Sequence, residues 1–355
     1  MAQLSERLRV GIVGCRRGLG VGKQIAVLPE YQTVAVCDLD SERAEAAAAE
    51  LGGLAAYTDY QAMLAEQRPD VVFLATNTQP RAQLTVQAAN AGVPGIIAEK
   101  PMAMSMAEAR AMVDACRAAG SKLIITHQRR MGGDLLEMRA LIAEGALGDL
   151  LVVRASCAGD LLTDGTHAVD SMRFLLADEP ATWVLGQLFR VTRAPDGTID
   201  PEFADYAGFR YGHPVEAGAI AVVQFSSGVR GELFTGKAQV PGLPYQDYQA
   251  IGTQGMLRRA GDRGPLLMWD AQPGGWREVA IRPQNRRDDG MVEAWRRFAS
   301  YLRGHGDHPL SGENALLDHE LVMAIYESAR LSKRIQLPLR QGAFPLQLMI
   351  DEGRA

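Results

Sequence analysis

Five short apolar runs, each leading into a helical stretch, constrain the first third of this chain more than anything else in it. They are Leu8 to Val13, Thr33 to Cys37, Val71 to Ala75, Gly95 to Ala98 and Lys122 to Thr126. Helices are expected between them at Ser41 to Leu51, Tyr60 to Glu66, Ala82 to Ala91 and Ala107 to Ala119. Gly92 supplies a helix stop, and Ser105 with Glu108 has capping-box spacing. Strand and helix in alternation predict a parallel, doubly wound sheet. Such a sheet presents its chemistry outside the carboxyl ends of its strands, so the residues that follow each run carry the functional information.

After the first run comes Gly14-Cys15-Arg16-Arg17-Gly18-Leu19-Gly20-Val21-Gly22, with a helix expected from Lys23. Strand, glycine loop and helix are the context of a dinucleotide fingerprint. Arg16 stands where the second glycine of that pattern belongs. The expectation is a longer loop in which Gly14 makes the tight turn, Gly18, Gly20 and Gly22 restore the close approach, and Arg16 or Arg17 lies over the phosphates. Asp38 ends the second run, 24 residues after Gly14. It reads either as the acceptor of ribose hydroxyls or as the N-cap of the next helix. As a ribose acceptor it favours NAD, while the nearby arginines leave NADP open. Thr76-Asn77 follows the third run, and Glu99-Lys100-Pro101 the fourth. The latter is either a site at a strand end or a surface ion pair before a turn.

At 355 residues the chain exceeds one ordinary core, and ~100–200 residues per domain predicts two. The boundary is expected at 126, giving domains 1–126 and 127–355. Hydrophobic residues at 47% and charged residues at 22% suit a globular chain. A net charge of −5 without a basic patch argues against nucleic acid as a partner. Cys15, Cys37, Cys116 and Cys157 are scattered, and the first nine residues are polar, so a reducing cytoplasm is expected. No apolar run reaches the ~18 residues of a membrane span. His127, His213, His305, His308 and His319 lack ligand spacing, so no metal is expected.

In the second domain a helix is expected from Asp134 to a stop at Gly145, then a strand from Leu150 to Cys157. Gly159-Asp160-Leu161-Leu162-Thr163-Asp164-Gly165-Thr166-His167 leads into an amphipathic helix. A start near Asp164 sets Thr163 or Asp164 one turn from His167. On its spacing alone this histidine reads better as a structural one. From Ala217 to Gly252 hairpin-spaced strands suggest an antiparallel sheet. Helices Met291 to Arg303 and Ala315 to Ser332 close the domain, an α+β layer whose open sheet face invites a second copy.

Together these stretches resemble the Gfo/Idh/MocA oxidoreductases, the group of glucose–fructose oxidoreductase and inositol dehydrogenase. The resemblance runs from about Leu8 to Leu339 and is carried by Gly11-Ile12-Val13-Gly14-Cys15, Glu99-Lys100-Pro101, Ile125-Thr126-His127-Gln128-Arg129-Arg130, Glu144-Gly145-Ala146-Leu147-Gly148, Gly165-Thr166-His167-Ala168-Val169-Asp170 and Ile251-Gly252-Thr253-Gln254-Gly255. It implies an N-terminal Rossmann domain and a C-terminal domain with a large open, mostly antiparallel sheet. Homo-oligomers, dimer or tetramer, through that sheet are implied too. The family lysine falls on Lys100 and its histidine on His167. The common aspartate four residues before the histidine is Thr163 here, with Asp164 next to it. Asn77 and Arg81 depart from the common proline and histidine.

The chemistry this implies is hydride transfer between a nicotinamide and a secondary alcohol of a sugar, cyclic polyol or related carbohydrate. A histidine, with an ordinary pKa near ~6.5, suits the proton transfer and a lysine the developing alkoxide. The expected catalytic set is therefore Lys100, His167 and Asp164. The expected cofactor set is Gly14, Arg16, Arg17, Gly18, Asp38, Thr76, Asn77, Glu99 and Lys100. Arg130, Arg154, Asp160 and Thr163 join Lys100, Asp164 and His167 as expected substrate contacts. Two other functions fit the same residues: a redox-neutral hydrolase or lyase working through a transient ketone, and a non-catalytic nucleotide sensor.

Overall fold

The computed structural model describes residues 4–189, 208–261, 264–271, 274–287 and 289–353. The chain divides into two compact units, one formed by Met1–Gln128 with Asp289–Leu316, the other by Arg129–Asp288 with Leu317–Ala355. The expected division at 126 differs from this one chiefly in the segment Asp289–Leu316, which returns to the first unit.

The first unit is built on β1 (Leu8–Val13), α1 (Cys15–Ile25), β2 (Tyr31–Cys37), α2 (Ser41–Glu50), β3 (Ala55–Tyr57), α3 (Tyr60–Gln67), β4 (Val71–Leu74), α4 (Thr78–Asn90), β5 (Gly95–Ala98), α5 (Met106–Ala119) and β6 (Lys122–Ile125). Its six strands run in the order β3-β2-β1-β4-β5-β6, and every pairing is parallel. This is the doubly wound order of a dinucleotide-binding sheet, with its switch point between β1 and β4. The apolar runs are strands buried on both faces: Val71 through Leu74 and Ile96 through Ala98 are all at or below 1% exposure. Side chains open the helices as their sequences suggest. Asp40 caps α2 through the Arg43 amide at 3.1 Å, and Ser105 caps α5 through the Glu108 amide at 3.3 Å.

Two helix starts and one strand stand out as differences from expectation. The glycine-rich stretch is not a loop, because α1 begins at Cys15, eight residues before Lys23. α4 begins at Thr78 rather than Ala82, and Pro80 is tolerated there because it lies within the first turn. The three-residue edge strand β3 is too short to leave a pattern.

The second unit holds α6 (Gly133–Ala143), β7 (Leu150–Cys157), α7 (Thr166–Leu175), β8 (Ala181–Phe189), a small ribbon of β9 (Phe209–Arg210) and β10 (His213–Pro214), and the strands β11 (Gly218–Phe225), β12 (Arg230–Thr235), β13 (Gln246–Gly252), β14 (Gly255–Ala260), β15 (Leu266–Asp270) and β16 (Gly275–Glu278). With β17 (Ile335–Gln336) they form a nine-stranded sheet, β16-β15-β14-β13-β7-β12-β11-β8-β17. Only the β7–β12 pairing is parallel, so the sheet is mixed and mostly antiparallel. The strands alternate as a one-sided sheet must. Val153, Ala155, Ala221, Val223, Leu233 and Leu257 are buried on one face, where Gly231 leaves room for Met172 of α7. Leu185, Phe189 and Ile220 stand exposed on the other.

The returning segment carries α8 (Gly290–Leu302), capped by Asp289 through the Met291 amide at 2.7 Å. Its Trp295 sits edge-on to Tyr31 at 5.0 Å and to Phe73 at 5.7 Å, under the first sheet. α9 (Gly312–Leu331) carries the chain across the division, and α10 (Pro345–Asp351) ends it. Among the described residues no helix is long and apolar enough to cross a membrane.

Candidate active site

In the first unit the expected cofactor residues collect at the carboxyl ends of the strands. Gly14 follows β1 with φ +90°, and a Cβ there would come within 2.7 Å of the Ala75 carbonyl oxygen; only glycine serves. It is also the N-cap of α1, and having no side chain it leaves the first turn of that helix without an internal cap. Apart from the Cys15 amide, which Asp38 accepts at 2.8 Å, a helix start of this kind is where a phosphate finds backbone donors. Gly18 sits one turn into α1 against Ile12, whose Cγ2 would lie 2.4 Å from an added Cβ. Its role is therefore helix-to-strand packing rather than loop flexibility.

Asp38 ends β2 and turns toward that helix start, its Oδ2 accepting the Cys15 amide at 2.8 Å. The N-cap of α2 is Asp40, which removes the capping explanation of Asp38. Arg16 is exposed, whereas Arg17 pairs with Glu99 at 3.0 Å. Glu99, at the end of β5, also accepts the Thr126 hydroxyl at 2.8 Å, and Thr126 receives the Lys100 amide at 3.3 Å. This lattice fixes the backbone of Lys100. Arg81 reinforces it from α4: buried to 2% exposure, it donates to the carbonyls of Thr76 and Pro101. Burial pushes the Arg81 guanidinium down to about 10, against the opposing charge of Glu99. Asn77 is the N-cap residue of α4 and makes no side-chain cap bond. The glycine at the helix start and the acid at the end of β2 fit a dinucleotide, Gly14 with the α1 amides at the pyrophosphate and Asp38 at the ribose.

In the second unit the residues around His167 are almost completely enclosed. Leu161–Gly165 winds as a single π-helical turn that runs directly into α7. Asp160 caps it, accepting the Thr163 amide at 2.7 Å. π-turns insert a residue into a helix and recur at functional sites. Thr163, Asp164 and His167 are 1%, 4% and 3% exposed. Asp164 is held by Arg210 at 2.6 Å and by the Tyr245 hydroxyl. Arg210 reaches Asp160 as well, at 3.1 Å, and Thr163 Oγ1 lies 3.3 Å from His213 Nε2. Below them Glu216 accepts the Leu161 amide and the Tyr326 hydroxyl, both at 2.6 Å. Two buried acids thus share one arginine, with a third, Glu216, buried beneath them. Burial and the charge of Asp164 push Asp160 up, and burial and the charge of Asp160 push Glu216 up to about 7.

Two expected substrate contacts lie elsewhere. Arg130 is fully enclosed, bound to Asp170 at 2.6 Å and Asp178 at 2.9 Å, in an ion-pair lattice that also takes in Arg173 and Asp318. Breaking such buried pairs is costly, so Arg130 reads as part of the framework. Arg154 stands on the open sheet face, opposite Glu232 at 2.6 Å and within 3.4 Å of Gln249. Arg210, His213, Glu216, Tyr245 and Tyr326 belong to the cluster although no local motif in the sequence marks them.

Residues 8–127 match the model of an oxidoreductase family with an NAD-binding Rossmann fold. Over 98% of its length the chain is 28% identical to D-apiose dehydrogenase of Paraburkholderia graminis, covering 94% of that protein. It is 23% identical to D-glucoside 3-dehydrogenase of Escherichia coli over 95% of this chain and 99% of the relative. Among solved structures, the WlbA dehydrogenase of Bordetella pertussis in complex with NADH and UDP-GlcNAcA superimposes with a TM-score of 0.76 at 22% identity, covering 95% of this chain and 99% of that one. The parallel 3-2-1-4-5-6 sheet of the first unit thus agrees with the NAD-binding Rossmann fold of the Gfo/Idh/MocA oxidoreductases that residues 8–127 match, and the similarity to dehydrogenases of comparable length extends over nearly the whole chain.

Proposed function

We propose that this protein is an NAD-dependent dehydrogenase acting on a secondary alcohol of a sugar, cyclic polyol or related carbohydrate. The observation that carries the reading is the enclosed cluster of Asp160, Thr163 and Asp164 in the turn that leads into the helix of His167, where carboxylate and hydroxyl acceptors are gathered. Acceptors of that kind suit a ligand made of hydroxyl groups. The names of the relatives, an apiose and a glucoside dehydrogenase, support the substrate class.

When bound, NAD supplies the hydride acceptor. Lys100 hydrogen-bonds the reacting oxygen and stabilises its alkoxide character. His167 takes the hydroxyl proton during oxidation and returns it during reduction. Asp164, tied to Arg210 and Tyr245, shapes the substrate wall together with Thr163, while Asp160 acts through Arg210 as a positioning residue. Glu99 holds Lys100 in place through Thr126. Arg130 and Arg154 have no part in this assignment.

The remaining expectations belong to the same reading. The protein works in the cytoplasm, in keeping with four buried free thiols, and as a homo-oligomer joined through the open face of the second sheet.

The test follows NADH absorbance with purified protein, NAD and a panel of inositols, free sugars and glycosides. NADH is expected to accumulate with one class. Lys100→Ala and His167→Ala are each expected to lower its rate by about 10²–10⁴-fold. Consumption of a glycoside without NADH would replace this reading with a redox-neutral hydrolase or lyase.

A further inference from the structure

The loop after β2 holds a charge cluster that the activity leaves unexplained. Both oxygens of Asp38 are engaged: Oδ2 by the Cys15 amide at 2.8 Å, Oδ1 by the Asp40 amide at 3.1 Å and the Arg43 guanidinium at 3.0 Å. Arg43, in the first turn of α2, sends its other terminal nitrogen to Asp40 Oδ2 at 2.7 Å. Asp40 Oδ1 meanwhile caps the helix through the Arg43 amide. One guanidinium fork is thus gripped by two carboxylates at the mouth of the ribose site.

In dinucleotide folds an acid at this strand end receives the ribose hydroxyls, and a nearby arginine instead accommodates a 2′-phosphate. Here both groups are present and bound to each other. Arg43 is about half exposed, at 48%, so its ion pairs are screened and weak. A phosphate, with several acceptor oxygens for a planar fork, competes well for such a side chain. What opposes it is a cluster of two acids and one base, which carries a net negative charge.

We propose that Asp40 is a specificity-determining residue for the cofactor: with Asp38 it withholds Arg43 from the ribose 2′ position, setting a preference for NAD over NADP and leaving Arg43 as a latent phosphate ligand. This rests on the NAD reading above. Asp38 cannot test it cleanly, because it also binds the α1 amide. Asp40→Ser can, since serine keeps the N-cap and removes the charge.

The experiment titrates the full chain with NADH and with NADPH, reading energy transfer from tryptophan to the nicotinamide, so no substrate is needed. The wild type is expected to bind NADH more tightly. Asp40→Ser is expected to gain about tenfold in NADPH affinity while NADH affinity stays within about twofold. Adding Arg43→Ala to that variant is expected to abolish the gain. Circular dichroism and melting temperature establish that each variant is folded. An unchanged NADPH-to-NADH ratio in Asp40→Ser, or a gain that survives Arg43→Ala, overturns the proposal, as does a wild type that prefers NADPH. A folded wild type that binds neither nucleotide overturns the NAD reading and this one with it.

Discussion

Glu216 shows how a single buried group couples the site to pH. It is 4% exposed, and its two oxygens are taken by the Leu161 amide and the Tyr326 hydroxyl. Burial, with Asp160 adding repulsion, raises its carboxyl from the ordinary 4.5 to about 7. The folded chain therefore holds this proton more tightly than the unfolded chain does. The stability it contributes is complete below the unfolded value and is lost as pH rises from about 4.5 to about 7. Glu216→Gln keeps the shape of the side chain and cannot ionise, and the Tyr326 hydroxyl can rotate to accept from the new amide. Thermal unfolding is expected to find variant and wild type alike near pH 4.5, with the variant more stable by roughly 1–3 kcal/mol at pH 7.5. A variant less stable than wild type at pH 7.5 would mean that the ionised carboxylate is net favourable where it stands.

At the scale of the element, α1 and the π-turn before α7 explain which parts of the site the sequence concealed. Three glycines in the first eight residues of α1 lower its intrinsic helix propensity, so a local reading starts the helix at Lys23. Packing overrides propensity there. Gly18 lies against Ile12 and Gly22 against Leu51 and Ile12, while Gly20 meets nothing within 4 Å. The two effects can be separated by one change at two positions. At Gly20, alanine is expected to stabilise by about 0.5–1 kcal/mol, the helix-propensity gain alone. At Gly18 the same gain is set against a methyl 2.4 Å from Ile12 Cγ2. Overpacking costs about 1–3 kcal/mol, so Gly18→Ala is expected to destabilise. Denaturant unfolding measures both, and stabilisation by Gly18→Ala would show that Ile12 moves aside freely. The π-turn hid its consequences in a different way. Sequence spacing alone sets Asp164 beside His167, but the contacts of Asp164 run to Arg210 and Tyr245, residues 46 and 81 positions away. Side chains that distant in sequence carry no local signal. Gly14, Asp38 and Lys100 were legible because strand-end positions follow directly from the strand pattern.

Across the whole molecule, most of the parallel sheet and the middle of the mixed sheet were legible, whereas the strands β3, β8, β14, β15 and β16 and the assignment of one helix were not. Periodicity tells that α8 buries Met291, Ala294, Trp295 and Phe298, but not against which sheet. The ring contacts with Tyr31 and Phe73, the Tyr31 hydroxyl donating to the Trp295 carbonyl at 2.5 Å and Phe298 packed over Gly95 assign it to the first unit. The second sheet poses the converse question, since its strands declare a face and the described residues leave that face bare. Strand pairing sets Leu185 opposite Val222 and Gln187 opposite Ile220; Leu185 is 46% and Ile220 37% exposed. Another row of registered partners, Val152, Ile251, Met256, Trp269 and Trp276, crosses five strands of the same face. Exposed apolar rows of this kind, flanking the Arg154–Glu232 pair, are what an interface presents. An isologous contact repeats each side chain on both copies, so a charge introduced on one strand meets its own image or is buried unpaired. Leu185→Lys with Ile220→Lys is therefore expected to shift the protein from oligomer to monomer in light scattering after gel filtration. Because both positions lie on the exposed face, circular dichroism and nucleotide affinity in the first unit are expected to stay at wild-type values. If wild type and double variant elute with the same mass per particle, this face is not what joins the copies.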